Sequence, residues 1–174
     1  MGKYYEKIDR IMYDDEFILL MKAKDFVLEE HKALIVFLYL TGVRISEALV
    51  IKRKQFKRTA NKLYIDIGVR LKGSKITPAL PVSLKAPYVQ NIILTYENLD
   101  PEALVFPYCR KTGYNIAKRF IGYPHYFRMN RITRFFMDGF TIPEVKSWTG
   151  LTIVALNYYI GKANTEKMGD SLGR

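Results

Sequence analysis

Apolar residues recur along this chain with two different periods, and the change between them predicts its elements. Residues 33–40 are apolar on every side and end at Thr41-Gly42, where glycine can adopt the left-handed conformation that stops a helix. Residues 63–67 alternate between apolar and polar, as a half-buried strand does. Residues 76–82 fit a second strand, which two internal prolines confine to the edge of a sheet.

Helical spacing returns in the second half of the chain. Apolar residues three and four apart predict helices after Tyr88, around residues 116–121, from Pro124 to Asp138, over residues 142–148 and over residues 152–159. Ser46 is suited to cap a further short helix, and residues 104–107 are a candidate third strand. The predicted fold class is mainly α with a small antiparallel β-sheet, an α+β protein.

The chain has 174 residues, of which 49% are apolar, so it can bury a core of its own and is most simply one domain. Residues 1–30 are mixed and charged and predict an N-terminal linker or a short helix. Residues 31–162 form the predicted domain. Residues 163–174 are polar and contain glycine, which predicts a C-terminal tail.

The charge balance points to a polyanionic partner. The chain has 28 Lys and Arg against 17 Asp and Glu, a formal net charge of +11 and a pI near 9.6. A basic protein without such a partner is the alternative. One cysteine, Cys109, excludes an internal disulfide and suits an intracellular protein. The N-terminus has no apolar signal core, and the longest apolar run, residues 33–40, is too short to span a bilayer, so we expect no membrane partner.

Three motifs carry candidate chemistry. Arg44 lies in the segment Thr-Gly-Val-Arg-Ile-Ser-Glu, His125 and Arg128 form a His-x-x-Arg pair, and Tyr158 and Tyr159 follow near the C-terminus. Two guanidiniums can clamp one phosphate through charged hydrogen bonds. An imidazole can move a proton beside them, and a phenol can attack as a covalent nucleophile. The set predicts transfer of a phosphodiester to tyrosine.

In order and spacing these residues resemble the catalytic domain of tyrosine recombinases, which include phage-type integrases and Xer-like resolvases. The spacing is 84 residues from Arg44 to Arg128 and 31 from Arg128 to Tyr159. The resemblance extends from about residue 30 to about residue 162, with an archaeal or viral character. It implies the tyrosine recombinase catalytic-domain fold for this chain.

The resemblance also implies a role for each residue. Arg44 and Arg128 would bind the non-bridging oxygens of the scissile phosphate, and Glu47 would orient Arg44. Lys72, in a turn between two strands, would protonate the leaving 5′ oxygen, with Lys75 as the alternate. His125 would hydrogen-bond the phosphate or take the proton of the phenol. Tyr159 would form the 3′-phosphotyrosyl link, with Tyr158 as its alternate, and the tyrosine that is not the nucleophile is expected to pack inward. No metal or cofactor is implied, because the tyrosyl ester conserves the phosphodiester energy.

The chain departs from the family at one site position. Members usually carry a histidine or tryptophan about nine residues before the nucleophile, where this chain has Gly150 or Leu151. Trp148 is the nearby candidate that could donate through its indole. Each assignment also has a structural alternative: Arg44 could form a surface salt bridge with Glu47, and Lys72 could be a solvated turn lysine.

The leading functional prediction is a site-specific DNA recombinase or integrase catalytic domain that cleaves and rejoins DNA. Its partner would be double-stranded DNA at specific attachment sites. The chain would be monomeric alone and tetrameric when assembled on DNA. It would act in the cytoplasm or nucleoid, or in the host cytoplasm if the source is viral. A DNA-relaxing enzyme of the type IB topoisomerase kind and a DNA-binding module that has lost catalysis are the alternatives.

Overall fold

The computed structural model describes residues 10–68 and 78–172, which form a mainly helical domain with one small antiparallel sheet. The predicted fold class is confirmed. The helices in these ranges are α1 (Asp14–Ala23), α2 (Glu29–Thr41), α3 (Ile45–Ala48), α4 (Val89–Tyr96), α5 (Arg110–Ile121), α6 (His125–Met137), α7 (Ile142–Thr149) and α8 (Ile153–Leu172). The strands are β1 (Phe56–Arg58), β2 (Lys62–Ile65) and β3 (Leu80–Ser83).

Helix α2 is the centre of the core. Its residues from Ala33 to Thr41 are all buried, so it is surrounded on every side by other elements, as its uniformly apolar sequence predicts. Gly42 ends it in the left-handed conformation, with φ +63°. The predicted helix and its glycine stop are confirmed.

The sheet has the order β1-β2-β3, and Leu63 faces Val82 across the β2–β3 pair. Strand β3 therefore lies at an edge, which tolerates Pro81 as predicted. The prediction of a strand at residues 104–107 is wrong. Leu104 forms only a single bridge, with Lys52, while β1 supplies the third strand. The three residues of β1 are too short and too polar to show a period.

Residues 10–14, which lead into α1 and include its first residue, are bound along one face of α6. The Tyr126 hydroxyl donates to Arg10 O at 2.9 Å. Asn130, which is fully buried, accepts from Met12 N at 2.8 Å and donates to Met12 O at 3.2 Å. One turn further, Arg134 Nη1 donates to Asp14 Oδ1 at 2.7 Å. These three side chains are four residues apart and therefore share one helical face.

Helix α8 does not end near Tyr159, as the sequence period predicted, but continues to Leu172. Glycines within it lower helix propensity, yet packing offsets this. Ala163 is buried, and Lys167 Nζ donates to Phe136 O at 3.2 Å. The segment predicted as a polar tail is thus helical wherever it is described.

We expect Asn130→Ala to lower the free energy of unfolding by about 2–4 kcal/mol, because the buried N–H and C=O of Met12 each lose the hydrogen bond to Asn130. Urea denaturation measures this change. Asn157→Ala, at an exposed position on α8, is the matched control and should change the free energy by less than about 0.5 kcal/mol. Equal effects of the two substitutions would contradict the anchoring role of Asn130.

Candidate active site

Arg44 occupies its position because the chain turns sharply after α2. Helix α3 begins directly after it, and the Arg44 backbone N–H donates to Glu47 Oε2 at 2.7 Å. Arg44 Nη1 donates to Glu47 Oε1 at 2.9 Å. The residue that caps α3 is therefore Arg44 and not Ser46, because the Glu47 carboxylate reaches back to its backbone.

The two charges of this ion pair differ in exposure. The Glu47 side chain is 5% exposed, whereas that of Arg44 is 38% exposed. A buried carboxylate thus holds a guanidinium that reaches solvent. This geometry is expected of a glutamate that orients the arginine. The same contact is the Arg44–Glu47 salt bridge that the sequence offers as an alternative to a catalytic role.

Arg128 is fixed by the ends of two helices. It is 3% exposed, and its Nη1 donates to Gly42 O and its Nη2 to Thr149 O, each at 3.0 Å. Both carbonyls lie at helix C-termini, those of α2 and α7, where the helix dipole favours a cation. The guanidinium is therefore held in one orientation by elements that are distant in sequence.

The two arginines line one cavity of about 220 Å³. His125, the first residue of α6, lies in its wall three residues before Arg128. The ring is exposed at the cavity. Partial desolvation, and then the positive charges of Arg128 and Arg44, lower the pKa of His125 below its usual 6.5. The imidazole is therefore mainly neutral at neutral pH and can accept a proton.

Sequence reasoning missed two further residues of this cavity, Arg110 and Tyr114. They lie one turn apart on α5, and Tyr114 is 44% exposed. The opposite face of this helix is buried through residues such as Ala117 and Phe120. The signal that could have found them is a cation and an aromatic residue four apart on the polar face of an amphipathic helix.

The two adjacent tyrosines of α8 point in different directions, and only one of them is buried. Tyr159 is 8% exposed, and its phenol lies in the fields of Arg128 and Arg44. Burial raises its pKa, while the two arginines act in the opposite direction. Tyr158 is 65% exposed. The expectation that Tyr158 packs inward is wrong, because successive helical residues point about 100° apart and the inward direction here belongs to Tyr159.

The segment that departs from the family pattern forms the end of α7. Gly150 caps the helix in the left-handed conformation, and Leu151 follows it. Neither residue has a side chain that can donate a hydrogen bond. Trp148 packs against Phe135 and Phe140, with ring centroids 5.3 and 5.1 Å apart. It lines a second cavity, away from the wall that His125 and Arg128 form. In this segment, the carbonyl of Thr149 accepts a hydrogen bond from Arg128.

The remaining predicted residues, Lys72 and Lys75, lie outside the described residues, in the connection between β2 and β3. Within the described ranges, no three His, Cys, Asp or Glu side chains are grouped so that they could hold a metal ion. In the same ranges, no helix has the length and apolar character needed to cross a bilayer.

Comparisons with known proteins give fold matches only. No family model and no curated protein matches the sequence. The XerH site-specific recombinase bound to its difH substrate, in a pre-cleavage complex, superimposes with a TM-score of 0.65 at 18% identity, over 88% of this chain and 50% of the other. Its post-cleavage complex with a palindromic difH substrate gives 0.66 at 18% identity, over 96% and 53%.

A third structure, the Tn1549 transposon integrase in complex with circular intermediate DNA, gives a TM-score of 0.59 at 16% identity, over 90% of this chain and 64% of the other. The chain thus spans about half the length of the XerH chains. Its fold is that of a tyrosine recombinase catalytic domain.

The close approach of α2 and α6 at Gly42 gives a first test of the site. A Cβ on Gly42 would lie 2.7 Å from Arg131 Cβ at a positive φ, whereas Gly139 has a positive φ with nothing within 4 Å. We expect Gly42→Ala to cost about 2–5 kcal/mol and Gly139→Ala about 1–2 kcal/mol, as measured by urea denaturation. Equal losses would show that Gly42 matters only for its backbone conformation.

The second test concerns the charges around His125. Arg44→Gln removes a positive charge that lowers the pKa of the imidazole, so that pKa should rise toward 6.5. NMR titration of the ring protons measures the change. Arg119→Gln, on the part of α5 that lines a different cavity, should leave the pKa of His125 unaltered. No change in Arg44→Gln would place that guanidinium too far from His125 to share a ligand.

Proposed function

We propose that this chain is a tyrosine recombinase catalytic domain that cleaves and rejoins DNA at specific sites through a 3′-phosphotyrosyl intermediate. The observation that carries the proposal is one cavity lined by Arg44, His125 and Arg128, whose two arginines also act electrostatically on the buried phenol of Tyr159. The recombinase fold and the net charge of +11 support it.

The two arginines have complementary tasks in this mechanism. Arg128 is preorganised, because two carbonyls fix its plane before any substrate arrives. Arg44 is more exposed and is held by Glu47, so it can meet a phosphate that enters from solvent. Two such cations stabilise the charge that builds on the non-bridging oxygens in the transition state. Loss of one preorganised donor typically costs on the order of 10²–10³-fold in rate.

In the cleavage step, one bond to phosphorus forms and another breaks, while one proton leaves the nucleophile and another reaches the leaving group. The Tyr159 oxygen forms a bond to phosphorus, and the bond from phosphorus to the 5′ oxygen breaks. Because the pKa of Tyr159 is raised, its phenol is protonated and needs a base, for which neutral His125 is suited. The leaving 5′ oxygen takes a proton from Lys72. Attack by a 5′ hydroxyl reverses these steps and rejoins the strand.

Helix α5 supports DNA as the substrate. Its exposed face combines Arg110 and Tyr114 at the cavity with further polar and basic residues, namely Lys111, Asn115, Lys118 and Arg119. A helix with one cationic face fits against a nucleic-acid backbone and groove. Because this face begins at the cavity, it would place a duplex with one phosphate over the arginines.

Several such chains would assemble on the DNA site, as a tetramer.

The nucleophile is tested with a suicide substrate, a nicked duplex carrying the attachment site, and a gel that detects covalent protein–DNA adduct. Tyr159→Phe removes the attacking oxygen and should abolish the adduct while leaving DNA binding nearly unchanged. Tyr158→Phe is the matched control and should retain the adduct, since Tyr158 is exposed and lies about 100° away on the helix.

The reverse pattern would assign the nucleophile to Tyr158. No adduct in the unaltered chain, on DNA that it binds, would favour a binding module without catalysis. Relaxation of supercoiled plasmid that lacks the attachment site would favour the type IB topoisomerase reading.

A further inference from the structure

Helices α1 and α2 form an antiparallel pair whose two ends differ in chemistry. The ring of Phe17 stacks on that of Tyr39 with centroids 3.7 Å apart, and the Tyr39 hydroxyl donates to Asp14 Oδ1 at 2.7 Å. Asp14 and Thr41 are thus at one end of the pair and the loop of residues 24–28 is at the other. With a rise of about 1.5 Å per residue, α2 separates the two ends by roughly 20 Å.

The Thr41 end carries a cavity of about 380 Å³, outside the site described above. Its walls are mostly apolar and come from β3, the end of α2, α6 and α7. An aromatic group of Phe135, Phe140 and Trp148 forms one side, and Lys85 lies at the exposed rim. A mainly apolar cleft with few polar groups is typical of a binding site.

Arg131 gives this cavity a cationic wall. Its Nε donates to Tyr39 O at 3.1 Å, and its guanidinium lies over the rings of Tyr39 and Phe135. Asp14 also lines the cavity, but its carboxylate pairs with Arg134. Among the described residues, no carboxylate lies within 4.0 Å of Arg131. Burial, and then the charge of Arg134, lower the pKa of Arg131 to about 10. A carboxylate that entered the cavity would stabilise the charged form of Arg131, which its partial burial disfavours.

The opposite end of the helix pair carries the complementary chemistry. Val27 and Leu28 are 77% and 49% exposed. Glu29 and Glu30 follow directly, and both are exposed. The dipole of α2 stabilises two glutamates in its first turn, but it does not explain two adjacent exposed aliphatic side chains. The pair of glutamates also makes this loop unsuited to a DNA backbone.

We propose that the cavity beside Arg131 receives the segment Val27-Leu28-Glu29-Glu30 of a second copy of this chain. The aliphatic side chains would enter the aromatic wall, and Glu30 would pair with Arg131. Glu29 is already bound by Asn91, whose Nδ2 donates to it at 2.9 Å. Because the two surfaces lie at opposite ends of α2, one copy cannot satisfy both, and the contact is head-to-tail.

Trp148 is the single tryptophan of the chain and lines the cavity, so its fluorescence reports occupancy. A peptide of residues 24–32 should cause a saturable change when titrated into the full chain. A Glu30→Gln peptide should bind at least about tenfold more weakly, because it leaves the partly buried guanidinium of Arg131 without a counter-charge. A scrambled peptide of the same composition controls for attraction to a basic protein and should bind no better than the Glu30→Gln peptide.

Arg131→Gln in the chain should weaken binding of the unaltered peptide as much as the Glu30→Gln change in the peptide does. Lys146→Gln, on the exposed face of α7, should leave peptide binding unchanged. If Arg131→Gln impairs folding, as circular dichroism would reveal, the Glu30→Gln peptide with the unaltered chain decides. Equal binding of the scrambled peptide, or no fluorescence change, would overturn the proposal.

The identity of the partner is tested by cross-linking. A mixture of isotopically labelled and unlabelled chain, treated with a carbodiimide, should give hybrid cross-links between Lys85 at the rim and Glu29 or Glu30. Mass spectrometry identifies them. Their absence, with other hybrid cross-links present, would overturn the assignment of the second copy as the occupant.

Discussion

The site depends first on a single buried cation. Arg128 donates to the last carbonyls of two helices, Gly42 O after α2 and Thr149 O in α7. A buried guanidinium without such partners would be strongly destabilising, so these contacts tie three helices together at one point. Gly42 leads directly to Arg44, and α7 leads directly to the helix that carries Tyr159. One residue thus sets the starting position of both segments.

Helix α6 extends this constraint to the rest of the domain. One face carries His125 and Arg128 toward the cavity. Another binds residues 10–14 through Tyr126, Asn130 and Arg134. Arg131 makes a third contact, because it packs closely against Gly42 and donates a hydrogen bond to Tyr39 O. A displacement of the segment at Met12 would therefore act on the same rigid helix that presents the site. We regard residues 10–14 as part of the site's support.

The electrostatics of the cavity separate the roles of its titratable groups. The positive charges of Arg44 and Arg128 lower the pKa of His125, and they oppose the effect of burial on Tyr159. At neutral pH the imidazole is a neutral acceptor and the phenol keeps its proton. A phosphate bound between the arginines would partly neutralise their charge and so raise the pKa of both His125 and Tyr159. Substrate binding would thereby make His125 a stronger base for proton transfer.

Local physics determined much of this protein from its sequence. The periods of apolar residues located most of the helices and the edge strand, and the glycine at position 42 marked the end of α2. The order of Arg44, His125, Arg128 and Tyr159 predicted the chemistry through its resemblance to a family. Tertiary packing decided the rest, because it joins segments far apart in the chain. It buries Tyr159 and exposes Tyr158, and it extends α8 through contacts such as Lys167 with Phe136. It also turns Trp148 toward a second cavity and brings α5 to the first, outcomes that no local period encodes.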